Sequence, residues 1–206
     1  MMRKRIIDAA GNLFGLYGIK AVSMDDIATE LHISKKTIYE NFGDKAGLVF
    51  ECIRHNAHQG ADALESAENN AGSPLELILM TNQIAFGQVM NRCPAFFRDL
   101  EAYPEAKLQH FDKYISLLGS KYVRSFFRCR EEGLFPEDTD FKMILDFFLE
   151  QLQRHTDKHW IGHSHSAVTH FNIIKTFLSG ICTDNGRTEL SKHNSQESSI
   201  SKIIKI

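Results

Sequence analysis

Between Ser23 and Lys45 the run SMDDIATELHISKKTIYENFGDK carries two helix start signals only eleven residues apart. Ser23 followed by Asp26 fits the pattern in which a serine oxygen caps an orphan amide while an acidic side chain reaches back. Asp25 and Asp26 put negative charge in the first turn, where the helix end is positive. Ile27 and Leu31 stand four apart and share a face, and after the second signal, Ser34, so do Ile38 and Phe42. Two short amphipathic helices with almost no link between them must pack as a tight corner. Gly43 is placed to end the second helix in a left-handed conformation. Asp44 then starts a third helix through Leu48, Val49, Cys52 and Ile53.

With Ile38 and Phe42 turned inward, the second helix (Ser34–Asn41) presents Ser34, Lys35, Lys36, Thr37 and Tyr39. Lysines meet phosphates or guanine edges, threonine bonds a phosphate or touches a thymine methyl, and a tyrosine hydroxyl reaches a phosphate. Lys45, at a helix start, sets a cation beside free backbone amides. The predicted DNA-binding set is Ser23, Ser34, Lys35, Lys36, Thr37, Tyr39, Asn41 and Lys45. The plainer alternative is a solvated face, since Lys-Lys pairs are common on surfaces.

The segment Arg5 to Lys45 resembles the DNA-binding domain of the TetR family of bacterial transcriptional regulators. The matching residues are the string IIDAAGNLF, then Gly18, Ser23 to Ala28, Ile33 to Tyr39, Phe42 and Lys45. Two departures stand out. Leu31-His32 replaces the small pair often found at the turn, and Glu40-Asn41 sits where a basic residue and a histidine are frequent. The resemblance implies a homodimeric repressor that leaves a near-palindromic double-stranded DNA operator when a small-molecule effector binds the C-terminal helical domain. It also implies a lever, the helix beginning at Asp44, that changes the separation of the two reading heads.

At 206 residues the chain can bury a substantial core. A formal charge of −2 means that any DNA contact relies on a local basic face, to which Arg3, Lys4 and Arg5 contribute. Cys52, Cys93, Cys129 and Cys182 are scattered and form no C-x-x-C pair, which fits reduced core thiols. With no signal peptide and no apolar run long enough to span a bilayer, a cytoplasmic location without membrane association is expected.

Beyond Lys45 the period is helical, so the expected fold class is all-α: an N-terminal three-helix helix-turn-helix domain and then a helical bundle. Ser73-Pro74 opens a helix reaching Met90, Cys93-Pro94 a short piece, and Pro104 a longer helix through Phe111, Ile115, Tyr122 and Phe126 that ends at Glu132-Gly133. Asp138 or Thr139 starts a helix through Leu152, and a last one runs from Val168 to Ile181. The expected domains are 1–46 for DNA binding, 47–183 for effector binding and dimerisation, and 184–206 as a mostly disordered tail.

Most of the chain's fifteen phenylalanines lie in this body, concentrated between Phe86 and Phe177. Core packing accounts for most, and helices apolar over more than one face must bury the second against a partner. The expected dimer interface is Phe141, Ile144, Leu145, Phe148, Phe171, Ile174, Phe177 and Leu178. Phe86, Met90, Phe97, Phe111, Tyr114, Tyr122 and Phe126 are either core or the lining of an effector cavity.

His155, His159 and His163 are four apart, with His165 and His170 following, a spacing open to a metal-responsive reading or to a polar loop. The loop is the expectation, with no metal and no cofactor. No phosphate-cradling glycine loop, nucleophile elbow or H-E-x-x-H is present, so no catalytic residue is expected. The remaining alternative is an effector-independent nucleoid or adaptor protein, which would bind any DNA in a salt-dependent way.

Overall fold

The computed structural model describes residues 2–108, 114–154 and 167–193, and every regular element among them is a helix. In chain order these are α1 (Met2–Tyr17), α2 (Met24–Leu31), α3 (Lys35–Phe42), α4 (Lys45–Asn70), α5 (Pro74–Met90), α6 (Pro94–Leu100), α7 (Pro104–Leu108), α8 (Ser116–Glu131), α9 (Phe141–Arg154), α10 (Ala167–Ile181) and α11 (Asp184–Ser191). No helix among the described residues is long and apolar enough to cross a membrane.

The described residues form two compact units, 2–59 with 90–108 and 114–115, and 60–89 with 116–154 and 167–193. The boundary expected after residue 46 does not coincide with this division. Leu48, Val49, Cys52 and Ile53 of α4 are buried in the first unit's core, and the same uninterrupted helix supplies Leu64 and Ala67 to the second.

In the first unit Ile6, Ala10 and Phe14 of α1 meet Ile27 of α2, Ile38 and Phe42 of α3, and Phe96 and Leu100 of α6 in one core. Two bonds fix α6 against the end of α1 and the turn after it: Cys93 N donates to Gly15 O at 2.7 Å, and Lys20 N to the Asp99 side-chain Oδ2 at 2.8 Å. This close approach needs Gly18, whose φ is +91° and where a Cβ would stand 2.9 Å from that of Ala95.

The second unit is built on rings. Phe126 lies 5.7 Å from Phe141, 6.1 Å from Phe148 and 6.0 Å from Tyr122, and Phe147 stacks on Phe177 at 4.1 Å. Helix α5 crosses it buried on nearly every side, from Leu75 to Phe86.

The helix predicted from Pro104 is described as far as Leu108 and again from a wider π-type turn at 114–115 into α8 at Ser116, while residues 109–113 lie outside the described residues. Two expectations change. The cap of α9 is Asp140, whose Oδ1 accepts from Met143 N at 3.0 Å, because Thr139 commits its hydroxyl to Pro136 O at 2.7 Å. The tail is not disordered throughout. Thr183 caps α11 by accepting from Gly186 N, its own amide and hydroxyl bond Leu134 O and Gly133 O, and Leu190 is buried.

The residues expected at the dimer interface divide by burial. Ile144, Phe148, Phe171, Ile174 and Leu178 are buried within the chain's own second unit, since the broad apolar faces of α9 and α10 wrap inward onto α5 and α8 rings. Phe141, Leu145 and Phe177 are half-buried, and Met143 and Ile173 are the exposed apolar residues of these two helices.

Candidate nucleic-acid interface

Both short helices of the corner are locked by their own side chains. At Ser23 the full capping box forms: Ser23 Oγ accepts from Asp26 N at 3.1 Å, and Asp26 Oδ2 accepts from Ser23 N at 2.7 Å. The Ser23 hydroxyl also donates to that carboxylate, and these bonds hold the Asp26 pKa below the usual carboxylate range. At Ser34 the side chain accepts from Thr37 N at 3.1 Å, and the two hydroxyls stand 2.8 Å apart.

The turn between them runs through His32, at φ 54° and ψ 44°, with Ile33 N bonded to Ala28 O at 3.0 Å. After α3, Gly43 has the positive φ expected of it but not the left-handed helical ψ. Its angles, +76° and −63°, with Asp44 N donating to Phe42 O at 2.9 Å, make a γ-turn. Asp44 then accepts from Gly47 N at 2.7 Å and starts α4 at Lys45.

The eight residues predicted to meet DNA differ sharply in their engagement. Lys36 is 84% exposed with Glu40 3.7 Å away, and Tyr39 is 40% exposed. Ser23 and Ser34 are exposed but act as caps. Lys35 reaches back to Asp25 of α2 at 2.7 Å, which raises its pKa and ties the two helices together. Asn41 Nδ2 donates to Thr37 O at 2.8 Å. Lys45 is drawn inward: its ammonium donates to Val22 O at 2.5 Å and lies over the Phe14 ring, and burial lowers its pKa.

Arg3, read from sequence only as one of three local cations, has a defined role. Its guanidinium donates to Asn41 O, covers the Phe42 ring at 4.5 Å and pairs with Glu51 at 3.3 Å, so it clamps the end of α3. Lys4 and Arg5 remain exposed beside it. The contacts of Lys35, Lys45 and Arg3 join positions too far apart in sequence for any spacing rule to reveal.

The seven residues considered as cavity lining do not gather in one unit. Phe86, Tyr122 and Phe126 belong to the second, where Tyr122 and Phe126 are fully buried in the ring cluster. Met90, Phe97 and Tyr114 belong to the first, and Phe97 packs on its core. Phe111 and His155, His159, His163 and His165 lie outside the described residues, while His170 is buried and stacked on Phe86.

Residues 6–52, which span α1 to the first turns of α4, match the family model described as bacterial regulatory proteins, tetR family. The chain is 28% identical over 159 residues to an uncharacterised HTH-type transcriptional regulator, YvkB, of Bacillus subtilis, covering 72% of this chain and 82% of that one. It is 26% identical over 138 residues to the HTH-type regulator BetI of Agrobacterium fabrum, covering 67% of each.

Its fold is similar to that of a putative transcriptional regulator from Saccharomonospora viridis in complex with choline, with a TM-score of 0.73, 18% identity, and 88% and 98% of the two chains covered. It is also similar to the ketosteroid regulator KstR2 of Mycobacterium tuberculosis, with a TM-score of 0.66, 18% identity and coverage of 89% and 96%. A capped helix-turn-helix corner that matches the family's DNA-binding segment identifies residues 6–52 as a helix-turn-helix DNA-binding domain of the tetR family, carried on a fold similar to that of solved transcriptional regulators.

Proposed function

We propose that the protein is a homodimeric repressor that seats α3 of each copy in a major groove and leaves its operator when a small molecule binds the second unit. The observation that carries this is the exposed face of α3. Lys36 and Tyr39 point to solvent from a helix whose other polar groups are tied to caps and neighbours. Lys36 is the base-reading residue and Tyr39 a phosphate contact, with Lys4 and Arg5 adding cations from α1. Ser23, Ser34, Lys35, Thr37, Asn41 and Lys45 hold the geometry, and their amides and hydroxyls meet the backbone of the DNA.

Dimerisation through α9 and α10, using exposed Met143 and Ile173 with half-buried Phe177, would make the operator near-palindromic. The transmission element is α4, one unbroken helix that begins under the γ-turn at Gly43 and ends among residues of the second unit. Release requires a ligand preference of about 1–3 kcal/mol between the DNA-matched and mismatched states. That the similar Saccharomonospora viridis protein was crystallised with choline supports a small-molecule role for this fold.

Selection of bound fragments from genomic DNA followed by mobility shifts tests the reading. Lys36→Ala is expected to weaken operator binding about tenfold and relax base preference, and Tyr39→Phe to weaken all sequences about equally. Unchanged affinity in both variants would sink the placement of the reading face. Equal affinity for any sequence, governed by salt alone, would instead favour an effector-independent nucleoid role.

A further inference from the structure

Within the first unit a cleft of about 560 Å³ opens between two walls. One wall is the end of α3 and the first two turns of α4, and the other is the link from α6 into α7. The volume falls in the range of small-molecule sites, roughly 300–1,000 Å³. Phe42, Phe50 and Tyr103 supply apolar surface, and the last two are only half-buried.

The charges around this cleft do not balance. Among the described residues that line it Arg3 is the one cation, and its guanidinium is already held by Asn41 O, the Phe42 ring and Glu51. Glu51 is held a second time by Arg54 at 2.6 Å. Two carboxylates remain, Asp44 and Glu105. Asp44 Oδ1 accepts from Gly47 N at 2.7 Å, but neither residue has a cation partner among the described residues. The adjacent Lys45 commits its ammonium to Val22 O and does not line the cleft. Burial, and then the negative charges of Asp99 and Asp44, push the Tyr103 pKa up, so its hydroxyl stays neutral in a negative field.

We infer that this cleft binds a small organic cation, an amine carried on an aromatic or alkyl body. The ammonium meets Asp44 and Glu105, and the body lies on Phe50 and Tyr103. Carboxylates attract a cation more strongly where apolar walls limit screening, and ring faces add a cation–π attraction. An anion is repelled from the same place, and a neutral analogue gains only the apolar contact. Phe42 ends α3 and Asp44 caps α4, so the occupant sits against the joint that sets the reading helix. The site is separate from the effector site proposed in the second unit and does not depend on it.

The test uses the full-length protein and three probes of one shape: 4-phenylbutylamine, 4-phenylbutanol and 4-phenylbutyrate. Each is titrated by calorimetry at about pH 7, where the amine is charged, and at one fixed ionic strength. Wild type is expected to bind the amine at least about tenfold tighter than the alcohol, and the carboxylate weakest. Asp44→Asn combined with Glu105→Gln should bring amine and alcohol within about twofold and leave the alcohol's affinity unchanged. Asparagine can keep the cap of α4, and Glu105 is exposed, so this variant is expected to fold.

Two further variants fix the location. Glu131→Gln combined with Glu137→Gln removes the same charge from exposed residues of the second unit and should keep the discrimination. Ala46→Leu alters no charge and no cap but puts bulk into the cleft, and should weaken amine and alcohol alike, by about tenfold. If the Asp44→Asn, Glu105→Gln variant does not fold, Ala46→Leu decides alone.

No binding of the amine, or equal binding of amine and alcohol, would overturn the inference. So would discrimination that survives the loss of Asp44 and Glu105 charge, or discrimination lost with Glu131 and Glu137. Unchanged affinities in Ala46→Leu would place the bound amine elsewhere and end the proposal.

Discussion

Helices α2 and α3 are eight residues each, too short to persist alone, and both are held at their starts by serine caps and to each other by Lys35–Asp25. Helices α8 and α9 are about twice as long, and packed rings hold them: Tyr122, Phe126, Phe135, Phe141 and Phe148 lie within about 6 Å of one another in a connected cluster. The first arrangement is directional, fixing angles through hydrogen bonds at named atoms. The second is non-directional and scales with buried area. A surface that must match a groove needs the former, whereas a body that must hold apolar bulk is served by the latter.

The comparison is most severely tested in the ring cluster. Phe126 is fully buried with four ring neighbours, so Phe126→Ala removes the contacts of all four and leaves a cavity. The expected loss is about 4 kcal/mol in urea unfolding. A loss under about 1 kcal/mol would mean that the cluster collapses freely and that the body is held by something other than its rings.

A smaller and qualitatively different effect is expected at Gly43. Nothing lies within 4 Å of a Cβ built there, so Gly43→Ala meets no steric neighbour and its cost is conformational alone. Forcing alanine to φ +76° and ψ −63° is expected to cost about 2 kcal/mol, with operator affinity falling as the turn relaxes and α3 loses its angle to α4. Unchanged stability would show that the turn rearranges without penalty, and the directional account of this corner would fail.

The same contrast explains what was legible in the sequence. Ser23, Asp26, Ser34 and Asp44 act on amides three residues away, so their roles follow from spacing, and the structure places each as a cap. The all-helical body follows from its period, and the start of α5 and the end of α8 from Ser73-Pro74 and Glu132-Gly133. Burial direction does not follow from period when a helix is apolar on two faces. Ile144, Phe148 and Ile174 therefore read as interface but lie inside. The missed helix α11 has a mean composition too polar to show a pattern, and only Thr183 and Leu190 anchor it. For Lys45, spacing gives a cation at a helix start but not its bond to Val22 O at 2.5 Å, which joins positions 23 residues apart.

The finest test is at the turn itself. His32 is the only non-glycine residue at positive φ among the described residues, and its side chain is exposed. A side chain in the left-handed helical region costs about 1–2 kcal/mol, and only part of that would be offset by glycine's greater freedom in the unfolded chain. His32→Gly is therefore expected to stabilise the protein by about 0.5 kcal/mol, raising the melting temperature by about 1–2 °C. Because the turn's hydrogen bonds, Ile33 N to Ala28 O among them, are backbone to backbone, glycine would keep them all. If His32→Gly instead lowered the melting temperature, the imidazole would be contributing to the corner through its side chain. The directional network would then extend one residue beyond the caps that define it.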